Sequence, residues 1–272
     1  MLGRTFGRLV IAGLVAWAGL PSATIATAAM VDVQLVLTAD VSRSIDDGEF
    51  QLQRQGYATA FKDPRVLHAI RSGQIGRIAV CYLEWSGIDS QQVVVDWTVI
   101  EDDETAGAFA DALLAAPRRF ANRTAIGAAI DFAVAQFARS GHESLRRTID
   151  ISGDGTNTDG RSAASARDDA VAAGITINGL VILSPEPMPW NPLHTHPPGG
   201  LELYYRENVV GGPGAFVIVV DDFASFAHAI TNKLIREIAG IDPAVAPQRH
   251  ADVREHHASA RHRKEPPPYN AR

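Results

Sequence analysis

Three short stretches carry the residues on which chemistry can be built. Asp40-Val41-Ser42-Arg43-Ser44 sets one carboxylate and two hydroxyls at alternate positions just after an apolar run. Thr124 opens the stretch TAIGAAI, and Ser152-Gly153-Asp154-Gly155 sets a second carboxylate after another apolar run. These side chains offer hard oxygen donors. Divalent cations of the Mg²⁺ type take about six oxygens and keep several waters beside few protein ligands. The hydroxyls of Ser42, Ser44 and Thr124 can touch such an ion directly, while Asp40 and Asp154 balance its charge through bound water. With neutral protein ligands the ion stays electrophilic and takes an incoming carboxylate in its open position. Each residue taken alone also has an ordinary use, because Ser and Thr cap helix N-termini and Asp occupies turns.

Other chemistries fit less well. No G-x-S-x-G elbow occurs, and the Asp-x-Ser run lacks the second aspartate of an aspartyl-phosphate site. The GDGTNTDG run fails as an EF-hand, since position 12 counted from Asp154 is Ser165 rather than Glu. The single cysteine, Cys81, excludes an internal disulfide framework and multi-cysteine zinc sites. It lies in an apolar run and is expected to be a buried thiol. The middle of the chain, 29–240, holds 17 basic and 27 acidic residues, so no basic stripe is available for nucleic acid. His68, His142 and His228 fall in or beside helical patterns, as surface or packing residues.

The candidate residues need a scaffold, and strand–helix alternation supplies one. Apolar runs at Val33–Thr38, Ile75–Trp85, Gln91–Val99, Arg147–Ser152, Ile175–Leu183 and Phe216–Val220 read as strands. Helical patterns cover 46–62, ended by Pro64, then 103–116, the stripe Ile126, Ile130, Val134 and Phe137, then 161–173 and 222–239 with Gly240 closing the last. This alternation predicts an α/β fold, a doubly wound and mostly parallel sheet covered on both faces. A five-residue link between the second and third strands makes one hairpin, hence one antiparallel edge strand. Trp85 and Trp97 at that hairpin are expected to pack. In open parallel sheets ligands bind at the carboxyl ends of strands, which is where Asp40 and Asp154 fall.

Residues 184–215 form a Pro/Gly-rich insertion with an aromatic cluster, Trp190, Tyr204 and Tyr205, that either packs on the sheet or makes an exposed docking patch. The two ends look different from the middle. Arg4 and Arg8, the apolar run Leu9–Leu20 and Ala26-Thr27-Ala28 read as a signal peptide over 1–28, placing the mature protein in the periplasm or outside the cell. Twelve apolar residues are too few to span a bilayer, which needs ~20, and no later run is longer, so no stable membrane insertion is expected. Residues 241–272, with His250, His256, His257 and His262, read as a solvated, disordered tail.

The order D-x-S-x-S, T-x-I-G at a helix start and a strand ending in D-G resembles the von Willebrand factor A domain, over about residues 31–240. LELYYRENVVGGPGAF and the EWS at 84–86 resemble, more narrowly, a family of exported bacterial proteins related to such domains and known mainly as a domain of unknown function. The resemblance implies a Rossmann-like sheet and a metal-ion-dependent adhesion site built from Asp40, Ser42, Ser44, Thr124 and Asp154 around Mg²⁺ or Mn²⁺. SGDG stands where a threonine usually precedes the aspartate, and the 184–215 insertion has no counterpart in the common pattern. The expected function is a non-enzymatic, metal-dependent binding module for a protein with an exposed carboxylate. The alternatives are a metal-dependent hydrolase of the cell envelope, or a scaffold whose insertion makes the contact.

Overall fold

A computed structural model of the chain describes residues 28–118, 123–221 and 225–240. The expected leader, but for its last residue, and the expected tail lie outside the described residues. A six-stranded sheet is built from β1 (Met30–Asp40), β2 (Ile78–Trp85), β3 (Gln91–Ile100), β4 (Glu143–Gly153), β5 (Thr176–Ile182) and β6 (Val217–Val220). Its spatial order is β3-β2-β1-β4-β5-β6. All neighbours are parallel except β2 and β3, the edge hairpin. The α/β, doubly wound sheet with one antiparallel edge strand is therefore the observed fold.

Helices α1 (Asp47–Phe61), α2 (Pro64–Arg71), α3 (Asp103–Ala115) and α8 (Phe226–Ala239) cover one face, and α4 (Ile126–Phe137), α5 (Ala163–Ala172) and α7 (Leu201–Asn208) the other. Four-residue α6 (Pro192–Thr195) lies in the insertion. The central strand β1 shows why two cores form. Its odd positions Val33, Leu35, Leu37 and Ala39 join the core that contains Phe50, Tyr57, Phe61 and Phe226. Its even positions carry buried Asp32, Gln34, Thr38 and Asp40. Asp32 accepts from the Ile75 and Gly76 amides, and the Thr38 hydroxyl donates to the Asp150 carbonyl. Asp40, at the strand's end, is the even-position carboxylate left with an oxygen lacking any hydrogen bond.

Two local expectations change. Pro64 does not merely stop the first helix. It occupies the first turn of α2, where its missing N–H costs nothing, with Asp63 capping the Arg65 amide. The 184–215 insertion is not a plain loop, because Leu201 and Tyr205, four residues apart, give α7 a buried stripe. Trp85 is buried, and Trp97 donates to the Gln136 carbonyl, so both tryptophans pack as expected. Cys81 is buried as expected, its thiol pushed up to about 12 mainly by burial. Gly240 closes α8 in the left-handed conformation at φ 62°. Among the described residues no helix is long and apolar enough to cross a membrane.

One feature of the core went unread in the sequence. Lys233 of α8, fully buried, pairs with Asp150 of β4 at 2.7 Å and with Glu237 at 2.5 Å. Asn178 donates to the same Glu237 oxygen at 3.0 Å. Removing the lysine strands two buried carboxylates, whereas neutralising all three does not. Lys233→Met is therefore expected to lower unfolding free energy by ~3–5 kcal/mol in urea titrations. Adding Asp150→Asn and Glu237→Gln to it should recover much of that loss.

Candidate metal centre

The parallel register brings three loops level at one end of the sheet. Asp40 lies opposite Trp85 across β1–β2, and Ala39 opposite Ser152 across β1–β4, so β4 runs one residue further before Asp154. The Val41 amide donates to the Trp85 carbonyl and the Ala125 amide to the Ser86 carbonyl, at 2.9 and 2.7 Å. The Thr124 carbonyl accepts from the Thr158 amide at 2.8 Å, which ties the second loop to the third. Beneath the first loop, Arg54 of α1 forms a buried ion pair with Glu84 at 2.7 Å and donates to the Leu113 carbonyl in the last turn of α3 and the Pro117 carbonyl after it.

Within this frame, Asp40, Ser42, Ser44 and Asp154 form one hydrogen-bonded group. Asp40 Oδ1 accepts from the Ser42 amide at 2.7 Å. The Ser44 hydroxyl donates to Asp154 Oδ1 at 2.8 Å, so the 3.1 Å contact between the serines has Ser42 as donor. None of the hydroxyls is spent on a helix cap. Asp46, with Glu49, caps α1, and α4 starts at Ala125 with no side-chain cap. Thr124 stands on the same face, its Oγ1 3.4 Å from His194 Nε2. A cavity of about 390 Å³ is lined by Ser42, Ser44, Thr124, Thr158, Trp190 and His194. A neighbouring one of about 570 Å³ touches Ser44, Glu49 and Asp154.

The electrostatics are those of a site short of positive charge. Burial first, and then the charge of Asp154, pushes the Asp40 carboxyl well above the usual carboxylate range. Asp154 is raised to about 6, burial outweighing the lowering by the Ser44 hydrogen bond, with Glu49 adding repulsion. Among the described residues no cationic side chain lowers either carboxyl. Among the described residues no group of three or more His, Cys, Asp or Glu is placed to hold a metal ion, so a cation here would depend on hydroxyl oxygens. The orphaned Asp40 Oδ2, two buried carboxyls and hydroxyls facing a cavity fit a hard divalent cation.

The insertion contributes residues that the sequence left unassigned. Tyr205 of α7 is fully buried under the first and third loops, its hydroxyl without a hydrogen bond. A Cβ at Gly153 would meet that hydroxyl at 2.7 Å and Asp40 Oδ2 at 3.3 Å, so glycine is needed there. Tyr204 accepts from the Asn157 amide at 3.1 Å. Trp190 is 64% exposed and lies under the Arg43 guanidinium at 5.1 Å. The expected aromatic cluster is thus divided, with Tyr205 packed and Trp190 open to solvent. His194 was missed altogether. The available signal was its position in the connection after β5, at the sheet end where Asp40 and Asp154 lie. His68 and His228 are exposed, and His142 accepts from the Ala29 amide, all away from this face. At the opposite sheet end a second cavity of about 570 Å³ carries arginines, but Arg146 there caps the Glu237 and Ile238 carbonyls of α8.

The pH dependence follows from the sign of the shifts. Asp154 binds its proton more tightly folded, near 6, than at its ordinary 3.8. Without a cation, the folded chain therefore loses stability as pH rises from about 4 through 6. A divalent cation binds the ionised form and opposes that loss. The rise in melting temperature on adding Mn²⁺ should be larger at pH 8 than at pH 5, and Asp154→Asn should flatten the difference.

Comparison with known proteins places this face in context. The family model described as "Protein of unknown function (DUF1194)" matches residues 30–242. No curated protein matches the chain. Among solved structures, proximal thread matrix protein 1 of the mussel byssus, described with a zinc-occupied MIDAS motif, is 13% identical with a TM-score of 0.57, over 79% of this chain and 50% of that one. A von Willebrand factor type A protein from Catenulispora acidiphila is 14% identical with a TM-score of 0.54, over 76% and 43%. The pilus adhesin SpaC from Lactobacillus rhamnosus GG is 14% identical with a TM-score of 0.54, over 77% and 30%. The chain spans half or less of the length of these three structures, and at such identities the likeness shows a shared von Willebrand factor A-type fold.

Proposed function

The chain belongs to the DUF1194 family, proteins of unknown function, and for this member we propose a divalent-cation-dependent binding module that captures an acidic group on a protein partner. One observation carries the reading. Ser42 and Ser44 form a chain of hydroxyls onto Asp154, beside the unpartnered Asp40 Oδ2, at the open end of a parallel sheet. Ser42, Ser44 and Thr124 would hold Mg²⁺ or Mn²⁺ directly, with Asp40 and Asp154 balancing its charge from behind. Bound there, the cation supplies an electrophilic position for a carboxylate. The protein itself would supply the walls around that position, with the Arg43–Trp190 pair beside the cavity. A mussel matrix protein with an occupied MIDAS motif and a pilus adhesin among the similar folds support adhesion-type binding.

The leader-like segment at 1–28 supports export to the periplasm or beyond, with 29–240 as the binding domain and 241–272 as an appended tail. Affinity recovery from envelope extracts tests the function. A partner retained in Mg²⁺ or Mn²⁺, released by chelator, and lost with Asp40→Ala or Asp154→Ala is the expected result. Cation-dependent turnover of generic phosphate or carboxyl esters, abolished in Asp154→Ala, would replace this reading with the hydrolase.

A further inference from the structure

The insertion brings one imidazole to the hydroxyl face and fixes it from three sides. The His194 carbonyl accepts from the Thr156 amide at 2.9 Å. Nδ1 lies 3.4 Å from Thr156 Oγ1 and Nε2 3.4 Å from Thr124 Oγ1. The ring lies flush against Gly155, where a Cβ would meet Nε2 and Cε1 at 2.1 Å. Only 4% of the residue is exposed, yet it lines the cavity shared by Ser42, Ser44 and Thr124.

This arrangement is that of a metal-binding histidine rather than a packing one. Metal-ligating histidines direct the second ring nitrogen to an outer hydrogen-bond partner that sets tautomer and orientation. Thr156 stands where that partner belongs, leaving the Nε2 lone pair on the Thr124 side. Both ring nitrogens stand 3.4 Å from their threonine hydroxyls, looser than a well-formed hydrogen bond of ~2.8–3.0 Å, and of the two only the Thr124 spacing borders the cavity with Ser42 and Ser44. It matches two ligands sharing one ion at bonds of ~2.0–2.2 Å. We propose that His194 Nε2 is a ligand of the cation held by Ser42, Ser44 and Thr124, making a mixed hydroxyl–imidazole site. Imidazole suits Zn²⁺ and its neighbours, whereas all-oxygen sets suit Mg²⁺ and Mn²⁺. The insertion thereby tunes the preference of the site toward borderline metals. This rests on the cation-binding reading above and narrows its cation.

The test uses the full chain with His250, His256, His257 and His262 replaced by alanine, so that tail imidazoles do not compete. Zn²⁺ and Mn²⁺ affinities are measured by competition titration, and pulsed electron paramagnetic resonance of the Mn²⁺ form reads nitrogen coupling. The parent should show imidazole nitrogen coupling, and His194→Ala should abolish it. That variant should lose about tenfold or more in Zn²⁺ affinity and less than about threefold in Mn²⁺ affinity. Gly155→Ala, which displaces the His194 ring without replacing any proposed ligand residue, should shift the ratio in the same direction. Exposed His196, two residues on, serves as control, and His196→Ala should change neither quantity. Mn²⁺ binding that is lost in Asp154→Ala but shows no nitrogen coupling, or an unchanged Zn²⁺/Mn²⁺ ratio in His194→Ala, overturns the histidine ligand alone. Absence of Mn²⁺ binding, or binding insensitive to Asp154→Ala, overturns the cation site and this inference together.

Discussion

Two like charges buried at the ends of adjacent strands are the constraint around which the rest of this structure is arranged. Asp40 and Asp154 have been taken from water, and the charge of Asp154 adds to the cost of ionising Asp40. Such a pair persists either by holding protons or by gaining a cation. On the proposed function, the neighbouring groups serve the second outcome. Ser44 bridges to Asp154, Ser42 bridges to Ser44, and the Ser42 amide holds one Asp40 oxygen while the other stays open. The parallel register of β1, β2 and β4 makes this possible, since a shift of one residue would turn Asp40 to the opposite face.

The same problem is solved differently elsewhere on β4. Asp150, four residues before Asp154, is equally buried and meets an internal cation, Lys233, shared with Glu237. That network fastens α8 to the sheet and needs nothing from solution. At the loop end no lysine or arginine among the described residues pairs with Asp40 or Asp154, although Arg43 and Arg123 line the adjoining cavity. On the proposed reading, a dissociable cation takes at the loop end the part that Lys233 plays at Asp150.

The insertion turns a bare strand end into a walled site. Its helix α7 buries Tyr205 below Asp40, its Tyr204 hydroxyl holds the third loop, and α6 sets His194 against Gly155. Trp190 remains exposed beneath the Arg43 guanidinium. Residues of the Pro/Gly-rich insertion thus form part of the cavity lining, beside the D-x-S-x-S turn.

Much of this was legible in the sequence. Near-continuous apolar runs forced buried parallel strands, the Gly-containing link forced the antiparallel edge, and Asp40, Ser42, Ser44, Thr124 and Asp154 fell at strand ends where such sheets bind ligands. Those are local properties, carried by side-chain period and turn chemistry. The second helix was misread because Pro64 both ends one helix and begins another, and only the capping by Asp63 distinguishes the two. The placement of His194 and Tyr205, and the pairing of Lys233 with Asp150 across 83 positions of chain, lay beyond any local pattern. The sequence by itself determined which side-chain oxygens fall together at the strand ends. Only the tertiary structure decided that they stand beside an imidazole and, among the described residues, without a lysine partner, because such neighbours are chosen by packing between distant segments.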